Sequence, residues 1–544
     1  MHLMITRTKR NGKFFEYAKI ARSYRENEKI KKEIIMNLGA IKSDEDKKRY
    51  KEILDDLKKG EKFIKRKDII FEDSKEYGIT YIANKLLEKY NLDNILQKEL
   101  TKNKAQFDVY STIKALIINR LTKPSSDLSA YDWMKNDYSE KLDVKKHQVY
   151  RALDYLIQRK DNIEKKIFDS LKEKLNLNTN LVHYDLTSSY LEGKKCEIAF
   201  YGYSRDHRKD RKQIVIGLVM CDGIPIYHEV FEGNAVDKST LKEMVKNLKQ
   251  KLGIKKVTII ADGGLLTKDN LENLEDNKQK YILGNPRRNN KMAEKYLTKK
   301  IDSKENQSAK EVGKEEIKRG GKEYTRRYIL CLNKNTKKER LETLDEIKEK
   351  KEKELMELQV KYEKSQIKKK GKKITKESMI NQAYKILGKN KRLFDIEEKD
   401  GKLNISFIKD TYDYEKKIAG KFLIVTNTDE KADKIMKTYK ELQMVENAFD
   451  EIKNFLDVRG IYHWKERRVK AHVFVCVLGF LVESIIERFS DESARKILKK
   501  LERIQIGKIK VGEENVFQLT EKSLQLSKEI FKNLGIKMPN NLYL

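Results

Sequence analysis

Between Val182 and Asn285 lie five short apolar segments, each bounded by turn-forming residues. They are VHYDLTSSYLEG from Val182, QIVIGLVMC from Gln213, IPIYHEVFEG from Ile224, KKVTIIADGG from Lys255 and KYILGN from Lys280. β-Branched and aromatic residues dominate them, so they read as strands. CDGIP, from Cys221 to Pro225, is turn chemistry, so the second and third segments form a hairpin added to the first. DKSTLKEMVKNLKQKL, before the fourth strand, has helical periodicity. The first segment carries Asp185 in the middle of a strand that reads as buried. An unpaired buried charge is very costly, so Asp185 needs a cationic partner such as a metal ion.

The order β-β-β-α-β-α-β is that of an α/β, ribonuclease-H-like mixed sheet, where the first and fourth strands are neighbours. Asp185 on the first strand and Asp262 at the end of the fourth would then repel each other unless a cation lay between them. A third carboxylate follows later. In EKADKIMKTYKELQMVENAFDEIKNFLDVRG, read as one helix, Tyr439, Leu442, Glu446 and Lys453 fall in a sector of roughly 60°. Glu446 thus sits at the edge of the packing face, where a merely solvated Glu would not. Three carboxylates are an all-oxygen ligand set suited to Mg²⁺ or Mn²⁺. Two such ions stabilise the attacking and leaving oxygens of a phosphodiester displacement. His183 lies two residues from Asp185 and shares its strand face, and reads as a core histidine.

Lys plus Arg number 120 against 86 Asp plus Glu, a net charge of +34. Such a chain expects a polyanionic partner, nucleic acid first. The charge is spread along the chain, which favours an extended DNA path. Cys196, Cys221, Cys331 and Cys476 lie far apart with no CxxC, which argues against a disulfide scaffold or zinc ribbon and fits a reducing cytoplasm. The polar start MHLMITRTKRNGKFF is no signal peptide. VFVCVLGFLV from Val473 is half a membrane span and reads as a buried helix, so no membrane partner is expected.

The remaining chain divides by pattern. Residues 1–60 hold a β-hairpin, KFFEYAKIARSYRE and IKKEIIMNLGAI joined by NEK; 61–178 are helical, with a stop and N-cap at TKPSSD. Helical periodicity runs from about 44 to 100. The core occupies 179–285 and 421–490, split by a Lys- and Glu-rich insertion at 286–420 that carries a long charged helix from Lys337. A helical region closes the chain at 491–544.

HYDLTSSY, IIADGG and the spacing Tyr439, Leu442, Glu446, Lys453 together resemble the DDE transposases of bacterial insertion sequences. They resemble in particular the group with a Tyr-Arg-Glu-Lys signature. YGYSRDHRKDRKQIVIGLVMCDGIPIYHEVFEGNAVDKSTL and VRGIYHWKERRVKAH are similar to further stretches of that family. The resemblance implies that Asp185, Asp262 and Glu446 hold two Mg²⁺ ions, with Mn²⁺ able to substitute. It implies that Tyr439 and Lys453 contact DNA near the cut end and that the helical region binds DNA. It implies cleavage at terminal inverted repeats, strand transfer to target DNA, and a homodimer on paired double-stranded ends in the bacterial nucleoid. Leu442 replaces the signature Arg, so Lys440 or Arg459 is expected to supply that cation. A hairpin intermediate would need an aromatic in the insertion, for which Tyr324 and Tyr328 are the candidates. A structure-selective nuclease on the same core, or an inactive transposon-derived DNA-binding protein, are the alternatives.

Overall fold

The computed structural model describes residues 1–60, 69–102, 105–235, 237–286, 291–301, 305–367, 373–399, 402–511 and 514–540. They form two compact units, Met1–Lys75 with Gln505–Thr520, and Glu76–Ile504 with Glu521–Pro539.

The first unit opens on an antiparallel sheet of β1 (His2–Arg10), β2 (Lys13–Glu26) and β3 (Lys29–Ile41). β2 and β3 are the hairpin expected from the sequence. The extra strand is turned by Asn11 and Gly12, whose φ values of 50° and 76° suit a two-residue hairpin turn. α1 (Asp44–Lys59) is bounded by a Ser43–Asp46 capping box and by Gly60 in the left-handed conformation. β4 (Ile69–Glu76) then joins a second small sheet. The helical periodicity expected from 44 to 100 is thus broken by a strand, whose partner lies near the far end of the sequence.

The second unit begins with six helices, α2 (Gly78–Lys89), α3 (Leu92–Leu100), α4 (Val109–Thr122), α5 (Asp127–Asn136), α6 (Lys146–Gln158) and α7 (Lys160–Lys174). Ser126 caps α5 by accepting from the Ser129 amide, as TKPSSD foretold. The sheet follows as β5 (Leu181–Tyr190), β6 (Gln213–Cys221), β7 (Ile224–Phe231), α8 (Asp237–Lys251), β8 (Thr258–Ala261), α9 (Lys268–Asp276) and β9 (Lys280–Asn285). β6 and β7 turn at Asp222 and Gly223, both with positive φ. β5 pairs antiparallel with β6 and parallel with β8; β8 pairs parallel with β9. The spatial order β7-β6-β5-β8-β9, with these directions, is the ribonuclease-H-like core.

Three more strands lengthen that sheet beyond β9. After α10 (Lys291–Leu297), the hairpin β10 (Gln307–Arg319) and β11 (Lys322–Asn333) pairs through β14 (Lys421–Thr426) onto β9. Between β11 and β14 stand α11 (Lys334–Ile367), α12 (Lys376–Leu387), the strands β12 (Phe394–Lys399) and β13 (Lys402–Phe407), and α13 (Lys409–Ile418). They share a small apolar core of Leu344, Leu355, Leu358, Tyr362, Met379 and Leu387, among others. So 334–418 has its own core, whereas 307–333, read as part of the insertion, extends the main sheet.

α14 (Ala432–Lys440) and α15 (Gln443–Asn454) return to the core. α16 (Glu466–Arg488) then packs against α4, α6 and β7. Among the described residues it is the one helix long and apolar enough to cross a membrane, and 94% of its apolar window is buried inside the fold. An all-round apolar helix inside a large protein is a core helix. β15 (Gln505–Val511) and β16 (Glu514–Leu519) complete the small sheet with β4. The four cysteines are free and buried.

Candidate active site

The parallel pairing of β5 and β8 fixes the first two carboxylates. Leu181, Val182 and His183 stand beside Thr258, Ile259 and Ile260. Two residues further along this register, Asp185 comes beside Asp262, which immediately follows β8. Neighbouring strands are about 4.8 Å apart, and Asp262 repels the Asp185 carboxylate across that gap. Asp262 continues in extended backbone (φ −74°, ψ 165°) and opens a short 3₁₀ turn at Gly263–Leu265. Burial pushes the Asp185 carboxyl up to about 7, with Asp262 and Glu446 adding repulsion while Arg205 opposes it.

The third carboxylate arrives on α15. Tyr439 to Lys453 reads from sequence as one helix, but the helix breaks at Glu441–Leu442. The amide of Leu442 bonds to the Tyr439 carbonyl at 3.1 Å, and that of Val445 to the Leu442 carbonyl at 2.9 Å. These i to i+3 bonds tighten the chain between α14 and α15. Leu442 is buried, so the position of the expected Arg is an apolar plug. α15 still sets Glu446 over the sheet: Asp185, Asp262 and Glu446 all line one cleft of about 390 Å³.

Tyr439, the expected DNA contact, is held against the second carboxylate. Its hydroxyl donates to Asp262 Oδ1 at 3.2 Å, and its ring stacks on Phe422 at 5.8 Å. Gly284 of β9 makes room for it: a Cβ there would lie 2.2 Å from the Tyr439 oxygen. Burial and Asp262 raise the phenol well above its usual range, so it stays a donor.

Lys453 and Arg459 both line the cleft. Lys453 is largely buried, and its ammonium donates to Asp206 Oδ1 at 2.8 Å. Arg459 donates to the same oxygen at 3.0 Å and to Asn454 at 2.9 Å. Lys440 sits in an adjoining cleft of about 570 Å³ with Tyr439, Asp262 and Glu446, and donates to Gln307. Of the two residues expected to replace the missing Arg, Arg459 therefore lies in the cleft with all three carboxylates. Tyr328, a candidate for stacking a base, is buried against Tyr296, and Tyr324 bonds Asp276.

Arg205, Asp206 and Asp450 join the site without having been expected from the sequence. Arg205 and Asp450 line the cleft. Asp450 stands one turn from Glu446, a spacing visible in the sequence. Arg205 and Asp206 lie on an irregular loop, where no periodicity announces which way a side chain turns.

A larger cavity of about 660 Å³ adjoins the cleft through Arg459 and is walled by Tyr150, Tyr190, Tyr462 and His463. Asp127, His463 and His472 meet there with ligand-type atoms within 4.8 Å. Asp127 accepts from Arg120 at 2.8 Å on one oxygen; His463 and His472 hydrogen-bond the other at 2.6 and 3.2 Å. Arg120 already balances the carboxylate and those atoms are spent on one another, so this is a hydrogen-bonded network. The all-oxygen cleft suits a hard divalent cation better: a half-buried, repelled Asp185 is what such an ion would relieve.

Residues 3–68 match the model of the IS1634 family transposase, N-terminal domain, and residues 179–480 match the transposase DDE domain. No curated protein matches the sequence. Among solved structures the chain is similar to the piggyBac transposase synaptic complex with hairpin DNA, at 9% identity and TM-score 0.35, over 87% of this chain and 89% of that one. It is also similar to the Mos1 transposase paired-end complex with left transposon end, at 14% identity and TM-score 0.15, over 43% of this chain and 66% of that one. At such scores neither likeness bears on function.

Proposed function

The chain belongs to the DDE transposases of insertion sequences, with an N-terminal domain of the IS1634 family, and on that premise we propose that it cuts DNA at the terminal inverted repeats of its element and joins the freed ends to target DNA. The observation that carries this reading is the convergence of Asp185, Asp262 and Glu446, from three separate elements, on one cleft that Arg205, Lys453 and Arg459 also line.

Asp185, Asp262 and Glu446 would hold two Mg²⁺ ions, or Mn²⁺ in their place. Bound there, the ions would supply Lewis-acid stabilisation of charge on the attacking and leaving oxygens. Tyr439 keeps Asp262 oriented by its hydroxyl. Lys453 and Arg459 present positive charge to the phosphate of the scissile strand, which fixes its register. In the first step the oxygen of water bonds to phosphorus and the 3′-oxygen leaves as a hydroxyl, the water proton passing to solvent. In the second, that 3′-hydroxyl attacks a target phosphodiester and the target's own 3′-oxygen leaves. Bond number is conserved across the transfer, so it needs no nucleoside triphosphate. A homodimer would hold two ends together, and the N-terminal region would read the repeats.

The test is a supercoiled plasmid carrying the gene's own genomic flanks, incubated with wild type and Glu446→Gln, with and without Mg²⁺ or Mn²⁺. Metal-dependent release of a discrete fragment by wild type alone supports the reading. Cleavage without joining would make the chain a nuclease on the same core. Binding without cleavage by either protein would sink both.

A further inference from the structure

Two loops meet beside the cleft. One is the strap at 192–212 between β5 and β6; the other joins α15 to α16 at 455–465. They are held edge to edge: Leu191 bridges Ile461 in parallel, and the Glu192 amide donates to the Ile461 carbonyl at 3.0 Å. The strap is fixed elsewhere too. Asp206 pins its middle to Lys453 and Arg459, and the Arg205 amide donates to Ser188 Oγ at 2.9 Å. Gln213 Nε2 donates to the carbonyls of Tyr203 and Gly233 at 3.1 and 2.9 Å.

On this rigid frame five large aromatic side chains face solvent. Tyr203 is 81% exposed, Tyr462 66%, Trp464 61%, Tyr201 59% and Phe200 37%. Exposed aromatic area held in place, rather than folded away, marks a binding surface. Cations are interleaved with the rings. The Lys195 ammonium stands 5.3 Å from the Trp464 ring and the Arg205 guanidinium 5.9 Å from that of Tyr203. The strap carries seven Lys and Arg against four acidic residues. Three of those acids, Glu192, Asp206 and Asp210, are ion-paired within the fold. Gly193 seats Trp464: a Cβ there would come within 3.1 Å of its Cδ1.

We propose that Tyr203, Tyr462 and Trp464 form a stacking platform for unpaired DNA next to the cleft. Flat ring faces alternating with cations fit a strand whose bases are free to stack and whose phosphates lie alongside. An intact duplex hides its base faces and offers only edges and phosphates. Tyr462 also walls the cavity that shares Arg459 with the cleft, which sets that ring beside the carboxylate site. The inference rests on the reading of that cleft as a DNA-cutting site, and it names which form of DNA the neighbouring surface takes.

The chain supplies its own reporter. It has two tryptophans, of which Trp133 is 5% exposed and Trp464 61%. The experiment titrates the full chain, without metal, with an oligothymidylate of roughly 20 nucleotides and follows tryptophan emission. Saturable quenching is expected, absent in Trp464→Phe and much weaker with a blunt duplex of equal nucleotide concentration. By fluorescence anisotropy of labelled oligothymidylate, Tyr203→Ala and Tyr462→Ala should each bind roughly tenfold more weakly. The Tyr→Phe variants should bind as wild type, because stacking uses the ring. Thermal unfolding midpoints establish that each variant is folded. The proposal fails if oligothymidylate leaves the emission unchanged, if duplex quenches equally, or if folded Ala variants keep wild-type affinity. No cleavage is involved, so a failure of the catalytic reading would be seen separately in the plasmid assay.

Discussion

At the scale of single residues, the carboxylate inside β5 is the informative one. Desolvation beside two other carboxylates pushes Asp185 up to about 7, so its charged form opposes folding. Asp185→Asn should therefore abolish metal-dependent cleavage yet unfold at a higher temperature than wild type in metal-free buffer; a gel assay and calorimetry check the pair. Gly284 should matter as much as a charged group. Gly284→Ala places a methyl where the Tyr439 hydroxyl lies, so it should reduce cleavage more than Tyr439→Phe, which loses one hydrogen bond. Initial cleavage rates of the two variants decide this. Asp185, Asp262 and Glu446 were legible in the sequence because each breaks a local rule: a charge in an apolar strand, a charge at a strand end before two glycines, a charge on a packing edge. Asp206 broke no such rule. Its role comes from a fold that brings Lys453 and Arg459 to it, and local pattern carries no record of that.

At the scale of elements, strands buried on both faces were easy to read and junctions were not. β6 and β7 begin where their apolar segments begin, since continuous apolar runs between turn residues leave little choice. The α14–α15 break was invisible, because Glu441 and Leu442 are ordinary helix residues and tertiary packing of Leu442 decides the geometry. α16 shows the reverse, an apolar run that could only be a core helix. It nevertheless buries Glu483, whose carboxyl burial pushes up to about 8 although Arg495 lies 3.4 Å away. The folded state then keeps a proton that the unfolded state, with the ordinary value of 4.5, has lost. Stability is full below that lower value and falls as pH rises towards the upper one. Glu483→Gln should raise the unfolding midpoint clearly at pH 8 and hardly at all at pH 4.5, in thermal melts compared across that window.

At the scale of the whole molecule, the charge of +34 dominates behaviour in solution. Binding to duplex DNA should weaken steeply with salt: a protein making several phosphate contacts loses about a thousandfold or more between 50 and 200 mM. A flat salt dependence in a filter-binding series would contradict a DNA partner. The core order was legible in the sequence because hairpins and helix-linked strands permit few arrangements. The extension of its sheet by β10 and β11 was not, because a charged, half-exposed hairpin looks the same whether it stands alone or joins an edge. The order of the carboxylates along the chain has a last consequence. Glu446 follows Asp262 only after the whole of β10 to β14, and α16, which covers the core, comes later still. During synthesis most of the polypeptide therefore leaves the ribosome before the third carboxylate exists at all. On the proposed reading, a nascent chain cannot yet cut DNA, and a truncated product ending before Gln443 should never do so.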